Sequence, residues 1–548
     1  MVKSSLTVKM IIEIIIKDLN SALAKLGYSK NDIKIAKCKN PEFGDFSSSI
    51  PLILAKIHKR SPIDIAHQIR DEMILSNNII EKITATDPGF INFKISKKYY
   101  YSVLEEILNK NDFGKSSSGK NKNANVEFVS ANPTGPLTIG HGRNAILGDV
   151  VSNILEWNGF AVTREYYFND AGRQMRILSK SVKARYFEIL DKPFNFPEDG
   201  YEGEYIKGIA KEIINDFGKE LLSDDSIFKS FPEKKMFEHI KNTLRILEIN
   251  FDEYSNEKAF YDNGEIEKLL NELKTKNLIY EQDGATWFKT SSLGKEKDRV
   301  FIKSSGEPTY RLPDTAYHRN KVERNFDLIV DVFGADHMDT YPDVILALDA
   351  LGVQTNHIKV LLYQFVTLLR GGEKIKMSTR KATFISLNDL INEVGVDVVR
   401  YFFVMRGINT HLNFDLDLAA DQSDKNPVYY LQYAHARICN IIKRVEKQSK
   451  NLSAYNPLLL DHESEIDLLK QLELFPNIVL SAKDLLEPQV IANYLQETAA
   501  KFHKYYANCR IITENEDLTL SRIALASATK IVLSNGLKIL GIKAPEKM

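Results

Sequence analysis

The sequence is short of cysteine, of net charge and of long apolar runs, and each shortage excludes a class of protein. The three cysteines, Cys38, Cys439 and Cys509, are far apart and form no C-x-x-C pair, which excludes a disulfide framework and a zinc knuckle. The first apolar run, Met10 to Ile16, stops at Lys17; it is too short to span a bilayer and has no cleavage-site pattern. We therefore expect a cytoplasmic protein that does not bind a membrane.

Positive and negative charges balance, with 73 Lys and Arg residues against 73 Asp and Glu residues. A neutral total argues mildly against nucleic-acid binding, so any RNA contact must come from local basic patches. The 548 residues, 43% of them hydrophobic, are enough for about three or four domains with real cores.

Composition and periodicity divide the chain into three domains and a linker. A small α+β domain is followed by a small polar linker, by alternating strands and helices that predict a doubly wound parallel sheet, and by an all-α bundle. The sheet domain contains a largely helical insertion with a hairpin at Asp283-Gly284. The predicted limits are 1–112, 113–123 for the linker, 124–420 with the insertion at about 169–300, and 421–548.

The most informative stretch runs from Asn125 to Phe160 and has the pattern of a strand, a glycine-rich turn and a helix that ends at Gly159. Helix N-termini carry free N–H groups and a positive dipole end, so such a turn suits phosphate. Gly140 and Gly142 would let a nucleotide approach the backbone, and His141 can hydrogen-bond to phosphate oxygens. A tight connection without a ligand is the alternative.

A second cluster, GGEKIKMSTRKATF from Gly371 to Phe384, is rich in cations. A charge run is usually a solvated face, but the paired glycines could act as the hinge of a loop that folds over pyrophosphate. The cations of this cluster and its one acid are Arg370, Lys374, Lys376, Arg380 and Lys381, with Glu373.

These segments resemble a known family. PTGPLTIGHG resembles the HIGH signature of class I aminoacyl-tRNA synthetases and KMSTR their KMSKS signature, while VEFVSANPTGP, FNDAGRQM, DGATWF, PTYRLPDTAYH and YLQYAHARI are similar to arginyl-tRNA synthetases. The resemblance runs from near Pro41 to Met548. It implies a multidomain α/β protein with a Rossmann-like catalytic domain, an N-terminal domain that contacts the tRNA elbow, an insertion that holds the acceptor end, and a C-terminal anticodon-binding bundle.

The resemblance also implies a reaction. L-arginine is activated by ATP with Mg²⁺, both as substrate, to arginyl-adenylate, and arginine is then transferred to the 3′ end of tRNA-Arg with release of AMP and pyrophosphate. We expect a monomer with no tightly bound cofactor and no metal ligands of its own. Its partners would be tRNA-Arg, L-arginine and ATP.

The resemblance assigns most nucleotide contacts to the two signatures. The HIGH-type motif comprises Asn132, Pro133, Thr134, Gly135, Pro136, Leu137, Thr138, Ile139, Gly140, His141 and Gly142. ATP contacts are predicted for Thr138, Gly140, His141, Lys374, Lys376, Met377 and Ser378, and catalytic roles for Gly140, His141, Gly142, Lys376 and Arg380. Because Thr138 replaces the first His of HIGH and Thr379 the second Lys of KMSKS, we expect other cations to take over part of the phosphate binding.

The amino-acid pocket must accommodate a guanidinium, which pairs best with carboxylates. Glu127 is an acid on an otherwise apolar strand, which is costly unless it is paired or lies at an exposed strand end. Tyr310 and Asp314 share a face if their segment is helical, which the intervening proline leaves open. The resemblance implies that Glu127, Tyr310 and Asp314 hold the guanidinium and that Asn132 holds the α-amino group.

Three further assignments have structural alternatives. Asp336 follows a strand and is predicted near the ribose or the substrate amine, or as a helix cap. Phe90 and Asn92 are predicted to contact the tRNA elbow, unless their domain serves packing alone. In the C-terminal bundle, aromatic residues mixed with cations are expected to be mostly core, with a few stacking on anticodon bases.

Two rival functions remain open from the sequence. A class I synthetase for another amino acid would share both signatures, but an aliphatic specificity would not use two acids in its pocket. A tRNA-binding protein without catalysis would be consistent with the Thr138 and Thr379 departures. The intact Gly140, His141 and Lys376 argue against it.

Overall fold

The computed structural model of the protein describes residues 8–29, 32–38, 40–75, 79–170, 172–221, 225–375, 385–447 and 454–548. Three regions follow one another along the chain: a small α+β region, a central region built on a parallel sheet, and a C-terminal helical region.

The N-terminal region is a four-stranded antiparallel sheet with helices. Its elements are α1 (Val8–Lys25), β1 (Ile35–Lys37), β2 (Phe46–Ser48), α2 (Ile50–His58), α3 (Pro62–Glu72), β3 (Ile80–Thr86), β4 (Phe90–Ile95) and α4 (Lys97–Asn109). The strand order is β1-β2-β4-β3. Strands β3 and β4 form an antiparallel pair around the Asp87-Pro88-Gly89 turn, with Thr86 opposite Phe90.

The central region alternates strands and helices. Its elements are β5 (Asn123–Glu127), α5 (Ile139–Trp157), β6 (Ala161–Phe168), α6 (Arg173–Ile189), α7 (Glu204–Phe217), α8 (Asp225–Ile246), β7 (Glu253–Asn256), α9 (Glu257–Asp262), α10 (Glu265–Thr275), β8 (Ile279–Gln282), β9 (Ala285–Phe288), β10 (Arg299–Ile302), α11 (Arg311–Glu323), β11 (Leu328–Gly334), α12 (Tyr341–Leu351), β12 (Ile358–Tyr363), β13 (Val366–Arg370), β14 (Glu373–Lys374), α13 (Leu387–Val394), α14 (Val396–Val404), β15 (Leu412–Asp415) and α15 (Leu416–Ala420).

Five of these strands form the main sheet, in the order β12-β11-β5-β6-β7, and every neighbouring pair is parallel. The predicted doubly wound parallel sheet is confirmed. The strand order reverses between β5 and β11, and ligands of open α/β sheets bind outside the carboxyl ends of the strands at such a switch point. The HIGH-type motif follows β5, and Asp336 follows β11.

The stretch predicted as an insertion contains both separate and shared structure. Helices α6, α7 and α8 pack around a core of their own, and β8, β9 and β10 form a small antiparallel sheet. Asp283 and Gly284 have φ of 52° and 72° in the two-residue turn between β8 and β9, as the hairpin pattern predicted. Strand β7, however, belongs to the main sheet and is one of its two edge strands. The domain limits stay predictions.

The C-terminal region is helical, as predicted, with α16 (Pro427–Glu446), α17 (Glu463–Glu473), α18 (Phe475–Leu485), α19 (Gln489–Asn508) and α20 (Glu516–Ile539). It packs on the N-terminal region, where the Tyr99 hydroxyl donates to Glu473 at 2.9 Å and the Tyr101 hydroxyl donates to the Leu460 carbonyl at 2.9 Å. Among the described residues, no helix has the length and apolar character needed to cross a membrane.

Candidate active site at the carboxyl edge of the main sheet

The HIGH-type turn ends in a capped helix. Thr138 is the N-cap of α5: its Oγ1 accepts from the His141 backbone N–H at 3.4 Å, and its own N–H donates to His141 Nδ1 at 3.2 Å. This is a capping box, in which two N–H groups at the helix end are satisfied by side chains, typically for about 1 kcal/mol. Thr138, which replaces the first His of the HIGH signature, therefore has a structural role as a helix cap.

The same contacts determine which ring nitrogen of His141 can act on a ligand. A backbone N–H can only donate, so Nδ1 is an acceptor and the proton of the neutral ring lies on Nε2. Burial lowers the pKa of His141 to about 4, although the Asp336 carboxylate opposes this shift. At neutral pH the ring is an uncharged hydrogen-bond donor through Nε2.

The two glycines beside His141 have different surroundings. Among the described residues, a Cβ on Gly140 would meet only the Thr138 hydroxyl, at 3.7 Å, so these residues leave the space next to this glycine open. A Cβ on Gly142 would lie 2.5 Å from Leu387 and 3.2 Å from Phe403, which come from α13 and α14. Gly142 is thus required for helix packing, and the predicted close approach of a nucleotide fits Gly140 alone.

The turn is also joined to the chain that follows the second signature. The Leu387 N–H donates to the Leu137 carbonyl at 2.9 Å, and Thr138 forms an isolated bridge with Ser386. Lys374 is exposed on β14. The other predicted residues of this signature, Lys376, Met377, Ser378 and Arg380, lie outside the described residues.

Three acids form a row across the main sheet. Glu127 on β5 lies in register with Asp331 on β11 and with Glu165 on β6, so the three side chains project from the same face. All three are at most 2% exposed. A buried carboxylate is costly unless it is paired, so each requires a partner.

Helix α11 supplies cations to the whole row. The Lys321 ammonium lies between Glu127 and Asp331, His318 Nε2 is 3.2 Å from Asp331 Oδ2, and Arg324, at the end of α11, donates to Glu165 at 2.7 Å. Glu127, His318 and Asp331 are close enough to share a metal ion, but the Lys321 ammonium is the cation between the two carboxylates. Glu127 also accepts from the Ser130 hydroxyl at 2.8 Å.

The first turn of α11 carries the other two residues of the predicted arginine pocket. Tyr310 is the N-cap residue and 64% exposed, and the Asp314 N–H donates to the Tyr310 carbonyl at 3.0 Å, so Pro313 does not interrupt the helix. Burial, opposed by His318 and reinforced by the charges of Glu257 and Glu127, raises the pKa of Asp314 to about 7. Within the described residues no cation bonds to Asp314, whereas Glu127 is paired.

Asn132 and Asp336 flank this pocket. The Asn132 amide donates to Gln174 on α6 at 2.9 Å, and its carbonyl accepts from the Asn169 N–H at 2.9 Å. Asp336 is exposed in the short helical turn after β11 and caps no helix end. Its carboxylate is close enough to His141 to affect the pKa of that ring.

Comparisons with known proteins agree along the whole chain. Family models match residues 11–95 as "Arginyl tRNA synthetase N terminal domain", 103–401 as "tRNA synthetases class I (R), catalytic domain" and 431–548 as "DALR anticodon binding domain". An arginine–tRNA ligase of Salinibacter ruber is 46% identical over 94% of this chain and 96% of its own length. That of Chlorobaculum tepidum is also 46% identical, over 97% and 98%.

The chain belongs to the arginyl-tRNA synthetase family. A crystal structure of Thermus thermophilus arginyl-tRNA synthetase has the same fold, with a TM-score of 0.74 at 22% identity over 98% of this chain and 100% of that one. The resemblance inferred from the sequence motifs is thereby confirmed. The alternative function, a class I synthetase for another amino acid, is not supported.

The two residues predicted to contact the tRNA elbow of a family member have unequal access to solvent. Phe90 is half-buried, but Asn92 is only 3% exposed and its amide donates to the Thr86 hydroxyl at 2.8 Å. In this conformation Asn92 cannot present its amide to a base edge. Its tRNA contact stays a prediction that requires the β3–β4 turn to rearrange.

The aromatic residues of the anticodon-binding region divide into core and surface. Phe502 and Tyr505 are fully buried, as expected for most of them. Tyr433 and Tyr506 are 37% and 40% exposed, and the Arg437 guanidinium lies between their rings, 4.4 Å and 4.7 Å from the two centroids. This surface can stack on bases.

Several residues that the structure places in or beside the candidate site were not found from the sequence: Asp331, Glu165, His318, Lys321, Arg324, Glu257 and Tyr205. A signal was present for two of them, because Asp331 and Glu165 are acids inside apolar strands, like Glu127. No sequence signal was available for Tyr205 on α7, whose hydroxyl donates to the Thr134 carbonyl of the HIGH-type motif at 3.0 Å.

Proposed function

We propose that this chain is an ATP-dependent arginine–tRNA ligase whose reaction takes place at the switch point between β5 and β11. The observation that carries the proposal is the coincidence of two features at one edge of the sheet. The HIGH-type turn there holds His141 as a neutral ring whose Nε2–H can donate to a ligand, and Asp314 provides a carboxylate without a cation partner among the described residues.

On the nucleotide side, the arginine carboxylate attacks the α-phosphorus of ATP in line, and pyrophosphate leaves with its Mg²⁺. The protein positions the reactants and stabilises the charge that builds on the phosphate oxygens. His141 contributes an Nε2–H donor that stays uncharged at neutral pH, beside the open space at Gly140. Lys374, Lys376 and Arg380 are proposed to hold the leaving pyrophosphate.

On the amino-acid side, the guanidinium supplies the cation that Asp314 lacks. Its planar fork can donate to Asp314 and to the Tyr310 hydroxyl, while Glu127, already paired with Lys321, supplies the remaining acceptor. Asn132 is proposed to hold the α-amino group through its amide oxygen. Asp336 is proposed to bind near the ribose or the substrate amine.

The proposal includes the partners and the setting of the reaction. tRNA-Arg would be held by the C-terminal bundle and by the turn that contains Phe90, and Mg²⁺ would arrive with ATP as part of the substrate. We propose that the enzyme acts as a monomer in the cytoplasm.

The test is ATP–pyrophosphate exchange with each of the twenty amino acids, with and without tRNA, followed by aminoacylation of tRNA-Arg. Exchange with arginine alone, together with charging of tRNA-Arg, is the expected result. Exchange with a different amino acid would indicate another specificity, and tRNA binding without charging would indicate a protein that has lost catalysis.

A further inference from the structure

Helix α11 combines two sets of residues that are separate in the sequence but share one helix face. Its first turn carries Asp314, and later turns carry His318 and Lys321, which bond to the acid row. The two sets are directly joined, because His318 Nδ1 is 2.8 Å from the Asp314 carbonyl oxygen. The position of α11 on the sheet therefore determines where Asp314 lies.

Lys321 is the central contact between α11 and the row. Its side chain is fully buried, and its ammonium bonds to Glu127 on one side and to Asp331, at 2.5 Å, on the other. Its ammonium also lies 4.3 Å from the centroid of the Tyr317 ring. Burial lowers the pKa of Lys321, but Asp331 and then Glu127 outweigh it, so the pKa is raised above its ordinary value and the side chain stays charged.

This arrangement is not explained by stability alone. Replacing a buried ion-pair network by well-packed apolar side chains is often neutral or stabilising, so the presence of these charges is weak evidence for a role in stability. Lys321 contacts one acid of the predicted pocket, Glu127, directly, and it lies on the same helix as the other, Asp314.

We propose that Lys321 is a positioning residue for arginine recognition: it holds Glu127 in place and fixes α11, and with it Asp314, against the acid row. The proposal rests on the proposed function, because it takes Glu127 and Asp314 to be the acids that receive the guanidinium. Lys321 itself contacts no substrate in this account.

The test uses the full-length enzyme in steady-state aminoacylation of tRNA-Arg, with KM measured separately for arginine and for ATP. Lys321→Met should raise the arginine KM about 100-fold, the scale of a misplacement of about 1 Å, while the ATP KM changes less than about twofold. Lys321→Arg keeps the charge with a larger head group. Lys321→Arg should therefore show a smaller rise in the arginine KM than Lys321→Met. If the methionine variant does not fold, the arginine variant is measured in its place.

The matched control is Arg400→Met. Arg400 is also a buried cation, 1% exposed and paired with Asp149 on α5. It is not one of the residues proposed to form or support the arginine pocket. We expect this variant to lower the melting temperature without changing the arginine KM by more than about twofold. If Arg400→Met raised the arginine KM as much as Lys321→Met, general loosening of the core would explain both and the proposal would be overturned.

A pH profile separates positioning from a purely structural role. The groups that face Lys321 come from every element packed against it: Glu127 of β5, Asp331 of β11, Glu165 of β6, and His318 and Tyr317 of α11. Without the ammonium, Asp331 loses the positive charge that lowers its pKa and faces the buried Glu127 carboxylate uncompensated, so the pKa of Asp331 should rise. In Lys321→Met the arginine KM should fall at least about tenfold as pH rises from 7 to 9, whereas the wild-type value should fall only about twofold there, because Asp314, with a pKa of about 7, is already half ionised at pH 7.

Two other outcomes are decisive. Equal changes in the arginine and ATP KM values of either Lys321 variant, or an unchanged arginine KM in Lys321→Met, would overturn the positioning role while leaving the proposed function intact. A wild-type enzyme that does not charge tRNA-Arg would instead overturn the proposed function, and this inference with it.

Discussion

The carboxyl edge of the main sheet and the exposed face of the C-terminal bundle use cations in opposite ways. At the sheet edge, Lys321 is fully buried and bonded to carboxylates on both sides. On the bundle, Arg437 is half-buried between two exposed tyrosine rings and bonds to a hydroxyl.

The difference follows from what each region is proposed to bind. A small charged substrate is discriminated best by a few groups held in one geometry, because a buried group left unpaired by the wrong substrate is costly. Single-stranded RNA bases present flat faces, and stacking on them tolerates small shifts. Changes at the sheet edge should therefore have large effects on one substrate, and changes on the bundle small effects on tRNA.

The largest effect is expected for His141→Ala. This change removes the Nε2–H donor, and loss of one preorganised donor to a developing charge typically lowers kcat about 100- to 1,000-fold. The measurement is kcat for ATP–pyrophosphate exchange with arginine. His435→Ala in the bundle is the matched control, since this histidine is also buried, with its Nδ1 2.9 Å from the Pro545 carbonyl oxygen; equal losses in both variants would argue against a phosphate contact.

The second-largest effect, a rise in the arginine KM, is expected for Asp314→Asn. An amide cannot pair with the guanidinium as a carboxylate does, and loss of a buried charged partner costs about 2 kcal/mol or more, which corresponds to a rise of at least about 30-fold in the arginine KM. The KM values for arginine, ATP and tRNA are to be compared, and only the first should change. Equal effects on arginine and ATP would remove Asp314 from the amino-acid pocket.

The titration of Asp314 should change the arginine KM of the wild-type enzyme about tenfold between pH 6 and pH 8. Its pKa of about 7 means that the carboxylate is mostly protonated at pH 6 and mostly ionised at pH 8, so the arginine KM should fall over this range. The charged or titratable groups near it are His318, Glu257, Glu127, Lys321, Tyr167 and Tyr261. The ATP KM should not change between pH 6 and pH 8, because His141 is neutral throughout this range. Asp314→Asn should abolish the pH dependence of the arginine KM.

The smallest effect is expected on the bundle. Arg437→Ala removes the cation between Tyr433 and Tyr506 and should raise the KM for tRNA about fivefold, at the lower end of the contribution of one stacked base. Pyrophosphate exchange rates at saturating tRNA should not change. A larger loss than in Asp314→Asn would reverse the comparison between the two regions.

The fold was largely predictable because its signals are local. The alternation of strands and helices, the Asp283-Gly284 turn and the helical periodicity of the C-terminal region each depend on residues close in sequence. Strand β7 was missed as part of the main sheet because its four residues follow long helices, and only the sheet order reveals its neighbour.

The candidate site was predictable only in part. Sequence motifs pointed to His141, Glu127 and Asp314 as candidates. The acid row, however, depends on the register of three strands that are separated by long stretches of chain. The contacts of Lys321 with Glu127 and Asp331, on which its proposed role rests, could not be inferred from the sequence for the same reason. Thr138 was understood as a departure from a signature, and only the hydrogen bonds to His141 show that it is a helix cap.

The hydrogen bond from Tyr205 to the Thr134 carbonyl has a mechanical consequence. Helix α7 cannot tilt away from the sheet without pulling on the loop that leads to His141 or breaking this bond. Asn132 and Gln174 add a second tether, from α6. A displacement of these two helices would therefore be transmitted to the loop of the HIGH-type motif through two hydrogen bonds.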